Sequence, residues 1–281
     1  DFFTPIVDDP FTFGQIAATN SLSDIYAMGG KPIYALNIAE FPSDEIPLSV
    51  LSEIMEGGLN IANKAQIPIL GGHTIKDKVP KYGLVVTGEV NKKNLTLNSK
   101  AKAGDVLILT KPIGTGIIST ALKNNEAPEF IVNKSINVMT QLNNLASKAM
   151  IEIGVNACTD VTGYGLLGHL LEMCQASNVS ATINFNATPI IEGTYELAQK
   201  GHIPGGTKKN LDFVSQHVNF SKNISNEQKY ILSDAQTSGG LLISVSTEKS
   251  NDLLRLLKEQ NIKCSLIGKI YNQAEFSIYI D

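Results

Sequence analysis

The 281-residue chain has only three cysteines, Cys158, Cys174 and Cys264, far apart and odd in number. That scarcity excludes a disulfide framework, and without close metal-ligand spacing it gives no zinc site either. Buried free thiols in a reducing cytoplasm are the expectation. No apolar run approaches the roughly 20 residues that a membrane-spanning helix needs. No signal peptide is visible, so no membrane partner is expected. Excess charge is scarce too. The 23 Lys and Arg against 27 Asp and Glu leave a formal net charge of −4, without the basic footprint of a nucleic-acid binder. Gly114-Thr115-Gly116 lacks the lysine-hydroxyl pair of a P-loop, and Ser238-Gly239-Gly240 lacks the nucleophile-elbow pattern of a hydrolase.

What is present is a globular composition, with 43% hydrophobic and 18% charged residues, neither disordered nor fibrous. The chain starts inside a strand. Asp9-Pro10 and the Thr12…Gln15 pair both offer start chemistry for a helix over 13–28, which Gly29-Gly30 ends. A strand over 31–39 follows, then a helix from Pro47 to 65 with Leu48, Leu51, Met55 and Leu59 at helical spacing. A short strand over 67–70 runs into the turn Gly71-Gly72-His73-Thr74, and another strand covers 82–90. The polar, lysine-bearing stretch 91–104 marks a boundary near Leu97, giving domains 1–96 and 97–281. The second domain reads as a strand over 106–110, a helix opened at Gly114, one long helix through Ile136, Met139, Leu142, Leu145 and Ala149, and a strand over 155–158. Beyond these come a helix from Leu166, a strand near 183–185, an irregular polar segment over 201–226, a capping box at Ser225…Gln228, and a closing strand, helix, strand and strand.

The segment Thr159-Asp160-Val161-Thr162-Gly163-Tyr164-Gly165 places a lone carboxylate at a strand's carboxyl end. Ligands gather there in α/β architectures, and a carboxylate can bind a hard cation. The competing reading is a helix N-cap or an Asx turn. Asn20 and Asp24, four residues apart, share one helix face. If that face is buried, Asp24 needs a partner, and a divalent cation would serve; otherwise the pair is a solvated stripe. Asp1 is a surface acid unless it converges with Asp24 and Asp160. Gly72, His73 and Thr74 offer bare backbone and a hydroxyl to a phosphate, or form a plain turn.

Taken in order, Asp1-Phe2-Phe3, the run from Ala17 through Asn20 and Asp24 to Lys31-Pro32, Gly71-Gly72-His73-Thr74, the run from Thr159 through Asp160 to His169, and Asp234-Ala235-Gln236-Thr237-Ser238-Gly239-Gly240 resemble the selenophosphate synthetases. The match covers essentially the whole chain, and its blocks are long and ordered. The resemblance implies an enzyme that makes monoselenophosphate from ATP, selenide and water, releasing AMP and orthophosphate, with Mg²⁺ holding the phosphates. It implies a two-domain fold like that of aminoimidazole ribonucleotide synthetase, an α/β domain followed by an α+β domain, with the first domains pairing in a homodimer to complete a β-barrel. On this chain it assigns ATP contacts to Asp1, Asp24, Gly72, His73 and Thr74, the last three reaching across the dimer, and metal contacts to Asp24, Asp160 and Asp1. Asn20 joins the ATP set through its shared face with Asp24. The family carries a glycine-rich segment upstream of the Asp1 block, with a reactive Cys or selenocysteine, a lysine and a further aspartate. The expectation is therefore a shortened chain without its catalytic nucleophile, able to fold and dimerise but with little or no activity. The alternatives are another ATP-dependent synthetase of this architecture and a non-catalytic nucleotide-binding homologue.

Overall fold

In the first 90 residues, strands β1 (Phe2–Phe3), β2 (Lys31–Phe41), β3 (Ile69–Lys76) and β4 (Lys81–Glu89) alternate with helices α1 (Pro10–Ala27) and α2 (Leu48–Lys64), in a computed structural model that describes residues 1–281. The sheet order is β1-β4-β2-β3, antiparallel except for the β2–β3 pair. Pro10 occupies the first turn of α1, and the Asp9 carboxylate accepts from the Thr12 amide at 2.7 Å. Asp9-Pro10 rather than Thr12…Gln15 therefore starts the helix. Both helices cover one face of the sheet, burying Ile16, Leu22, Ala35, Ala39, Ile54, Ile61, Tyr82 and Leu84 in one core. The helices cross closely. A Cβ on Gly14 would stand 1.8 Å from the Ile54 carbonyl oxygen, and one on Gly57 2.0 Å from that of Phe11.

β3 differs from its expected form. The strand runs on through Gly71-Gly72-His73-Thr74, because β2 is long enough to pair with all of it, from Ala35↔Ile69 to Phe41↔Lys76. The glycines are strand residues rather than a turn, and Gly72 packs so close to β2 that a Cβ there would lie 2.2 Å from the Asn37 carbonyl oxygen.

The connecting stretch is stitched to both sides: the Thr96 amide donates to Met28 and the Cys158 amide to Leu97. Beyond it lie β5 (Asp105–Leu109), α3 (Thr115–Lys123), α4 (Glu129–Met139), α5 (Asn144–Ile153), β6 (Ala157–Asp160), α6 (Gly165–Ser177), β7 (Val179–Ile183), α7 (Thr194–Gln199), α8 (Gly205–Val214), β8 (Val218–Phe220), α9 (Asn226–Leu232), β9 (Leu241–Ser246), α10 (Thr247–Glu259), β10 (Ser265–Asn272) and β11 (Ile278–Ile280). Seven of these strands form a sheet in the order β6-β9-β5-β10-β7-β11-β8. β5 is buried throughout, since alternate side chains of a strand point to opposite faces. Leu107 and Leu109 enter the larger core, whereas Val106 and Ile108 face α5 and α10.

Two further expectations give way. The helix read through Ile136 to Ala149 is two helices, interrupted where Thr140 caps α4 and the Gln141 carbonyl is captured by Lys111. The segment 201–226 contains α8 and β8. Its polar residues are used for contacts, as when Asn210 donates to the Gly163 and Ser233 carbonyls. The Ser225…Gln228 capping box forms as read.

Candidate functional site

Helix α1 packs against the first sheet and also touches β6, α4 and α5 of the second unit. Its inner face therefore lies at the junction of the two. Asn20 is buried there, so the reading of Asn20 and Asp24 as a solvated stripe does not describe Asn20. The Asn20 amide nitrogen donates to the Asp1 carboxylate, and its Oδ1 accepts from the Ser238 amide at 2.8 Å. Ser21 Oγ donates to the Asp1 carbonyl at 2.9 Å. One turn on, Asp24 is exposed at the surface of the junction.

Asp160 ends β6 and is 6% exposed. It caps nothing: the N-cap of α6 is Tyr164, with no side-chain cap bond. The cap reading therefore fails. Burial raises the Asp160 carboxyl above the usual range, opposed by the nearby Ser23 hydroxyl and the Lys111 ammonium. The Asp24 carboxyl is raised as well, by desolvation and then by the negative charge of Asp160. Two carboxylates contributed by different units thus repel each other at one place. No three His, Cys, Asp or Glu side chains gather closely enough to hold a metal by protein atoms alone. Mg²⁺ is commonly held by one or two carboxylates together with substrate phosphates, and the Asp24–Asp160 pair fits that donor chemistry, because a cation would relieve both raised carboxyls.

The structure brings Asp1, Asn20, Asp24 and Asp160 to this junction, but not Gly72, His73 and Thr74. Phe2, Gly83, Ile38 and His73 form one row across the sheet, so the Asp1 edge and the β3 edge lie on opposite sides. Three strand spacings put them roughly 14 Å apart. All three β3 residues are exposed.

Several neighbours were not singled out as site residues from the sequence. Lys111, 2% exposed, donates from Nζ to the Gln141 carbonyl at 2.6 Å and the Ser238 carbonyl at 2.8 Å, and burial pushes it down to about 7 against the pull of Asp160. Asn143 donates to Ser23 Oγ at 3.0 Å and to the Gly239 carbonyl at 2.9 Å. His169 lies 3.2 Å from Thr162 Oγ1, and its charged form is disfavoured first by burial, with Glu172 and Asp24 opposing. A lysine two residues after the apolar run 106–109 was the available signal for Lys111. Cys158 and Cys174 are not reactive candidates: both are buried, and burial holds the Cys174 thiol up at about 12, far from a thiolate.

Residues 1–90 match the model of the AIR synthase related protein N-terminal domain, and residues 102–281 that of its C-terminal domain. The chain is 49% identical over 272 residues to a protein named selenide, water dikinase from Myxococcus xanthus (strain DK1622), covering 96% of this chain and 77% of that protein. It is 48% identical over 281 residues to the one from Caldanaerobacter subterraneus subsp. tengcongensis, covering 100% and 81%. The chain belongs to the selenide, water dikinase family. Among solved structures it shares its two-domain fold with thiamine-monophosphate kinase from Stenotrophomonas maltophilia K279a (TM-score 0.76, 16% identity, 100% of this chain and 83% of that one). The hydrogenase maturation protein HypE in complex with ATP superposes similarly (TM-score 0.71, 16% identity, 100% and 80%). Family membership makes the chain a phosphotransferase of AIR synthase-like architecture. No helix is long and apolar enough to cross a membrane.

Proposed function

We propose that this protein makes monoselenophosphate from ATP, selenide and water, releasing AMP and orthophosphate. The observation that carries the reading is the Asp24–Asp160 pair, two carboxylates from different units brought to one junction by the contact of α1 with β6, where a cation would offset their repulsion, in a chain so similar to enzymes of that name. Asp24 and Asp160 would hold Mg²⁺, with Asp1 beside them. The metal would neutralise phosphate charge, which with positioning supplies most of the catalysis in phosphoryl transfer. Asn20 and Asp1 orient the polyphosphate beside the inner face of α1. Thr162 and the glycine-punctuated turn after Asp160 line the second unit's side and limit the entry of water.

The homodimer completes the site. The sheet face turned away from α1 and α2 leaves Ile33, Leu36 and Val85 exposed, and Leu70 and Ile75 stand bare on the edge strand β3. Apolar faces of this kind mark interaction surfaces, and two such sheets packed together would make a barrel. Gly72, His73 and Thr74 of one copy would then approach ATP held by the other.

The test is product analysis with the complete protein. ATP and selenide together should give AMP, orthophosphate and monoselenophosphate, and Asp160→Asn should abolish all three while leaving thermal unfolding and assembly unchanged. ATP turnover indifferent to selenide would overturn the reading. Loss of folding in Asp160→Asn would make Asp160 a structural residue.

A further inference from the structure

The turn 236–240 belongs to the second unit, yet it supplies a hydrogen bond to the first. Its geometry is pinned from several directions. Gln236 Oε1 accepts from the Gly114 and Thr115 amides at 2.9 and 3.2 Å, and the Thr237 amide donates to Thr115 Oγ1 at 3.0 Å. The Ser238 carbonyl is taken by Lys111 and the Gly239 carbonyl by Asn143. Ser238 itself has φ +51°, a left-handed backbone that a non-glycine residue adopts at a cost. Its hydroxyl is fully buried and has no hydrogen-bond partner. The side chain therefore does not explain why the turn is held so firmly. The backbone does: the Ser238 amide donates to Asn20 Oδ1.

We propose that Lys111 is a positioning residue for the nucleotide site, acting through the Ser238 backbone on Asn20 and through Asn20 on Asp1. The proposal rests on the reading of Asp1 and Asn20 as ATP contacts. Its logic is directional. A residue's φ and ψ fix how its carbonyl and amide point relative to each other, so an ammonium anchoring the Ser238 carbonyl also aims the Ser238 N–H. That N–H needs an acceptor, so it holds Asn20 Oδ1 and turns the Asn20 NH₂ toward the Asp1 carboxylate. Were the amide rotated, Oδ1 would face the carboxylate, acceptor against acceptor. A lysine is suited to the anchoring because its three hydrogens can serve several carbonyls at once, and Lys111 is enclosed with two of them in place. The relay joins the second unit's interior to the first unit's nucleotide-facing edge.

The experiment is a double-mutant cycle on Lys111→Met and Asn20→Ala in the complete protein, read as the dissociation constant of a non-hydrolysable ATP analogue on the folded fraction. Each single variant should weaken the analogue about tenfold, the scale of one lost hydrogen bond to a charged group, and the double variant should be no weaker than the poorer single. Multiplying losses, or Lys111→Met that lowers only the folded fraction and leaves the analogue's affinity intact, would overturn the relay. Ser238→Gly gives a second check should Lys111→Met fail to fold. It keeps the N–H and suits the left-handed backbone, so affinity within about twofold of the parent is expected; a tenfold loss would show that the hydroxyl acts and sink the backbone relay. Because binding is read without selenide, a relay that holds alongside ATP turnover indifferent to selenide would leave this inference standing and remove only the proposed reaction.

Discussion

Asp234 sits in an environment at odds with its side-chain chemistry. It is wholly enclosed, and its carboxylate accepts from the Gly116 amide at 3.0 Å, the Ile117 amide at 3.2 Å, Gln236 Nε2 at 2.9 Å and Thr207 Oγ1 at 2.9 Å. Burial outweighs these donors and pushes the carboxyl from 3.8 up to about 7. A carboxyl raised in the folded state contributes stability that is present at low pH and is lost as pH rises through the folded value. Asp234 therefore favours the fold at mildly acid pH over alkaline pH, in a window from about 4 to about 7. Asp234→Asn should flatten the dependence of Tm on pH across that window, measured by thermal unfolding. Profiles that stay parallel to the parent would show that Asp234 remains ionised throughout. At this same scale, Asn20, Asp24 and Asp160 were legible in the sequence because each is polar where the surrounding pattern is apolar. Ser238 was not, since it acts through a peptide group that every residue except proline carries. Nor was Lys111, whose partners are carbonyls 30 and 127 residues away.

Among the elements, the α1–α2 pair leaves little room for change. Gly14 and Gly57 lie where each helix meets the other's backbone, and a Cβ on Gly58 would stand 2.0 Å from the Tyr82 hydroxyl. Gly14→Ala must spread the helices, although alanine is the better helix former in isolation. The expected cost is about 2 kcal/mol or more by the usual scale of overpacking, visible as a lower urea midpoint, and an unchanged midpoint would mean that the crossing yields freely. Local signals were sufficient for α1, β2, α2 and β4, where caps, glycines and periodicity agree. They failed where distant partners decide. The turn between α4 and α5 lies inside a continuous helical pattern and is set by Lys111, while α8 buries only Thr207 and Val214, too few apolar positions to announce a helix.

At the scale of the whole molecule, one face of the first sheet is covered by helices and the other is bare. If two copies meet there, paired lysines at Ile33 and Val85 should yield a monomer by sedimentation, still folded because neither side chain lies in the core. That monomer should bind the ATP analogue more weakly, having lost the partner's Gly72, His73 and Thr74. A dimer that persists would place the contact elsewhere. The two-domain architecture was readable from the family blocks and their order. The distance between the Asp1 edge and β3 was not, because strand order is fixed by pairing rather than by sequence neighbourhood.

The sheet order of the second unit also bears on when the protein becomes competent during its synthesis. Its interior strand β5 pairs with β9 and β10, both made near the end of the chain, and the Asn20 acceptor waits for an amide 218 residues downstream. Chains emerge from the ribosome amino end first. The first unit can therefore collapse early with Asn20 and Asp1 in place, while the relay that orients them stays incomplete until the turn 236–240 has left the tunnel. A nascent chain arrested before Ser238 would carry the nucleotide-facing residues without the part that aligns them.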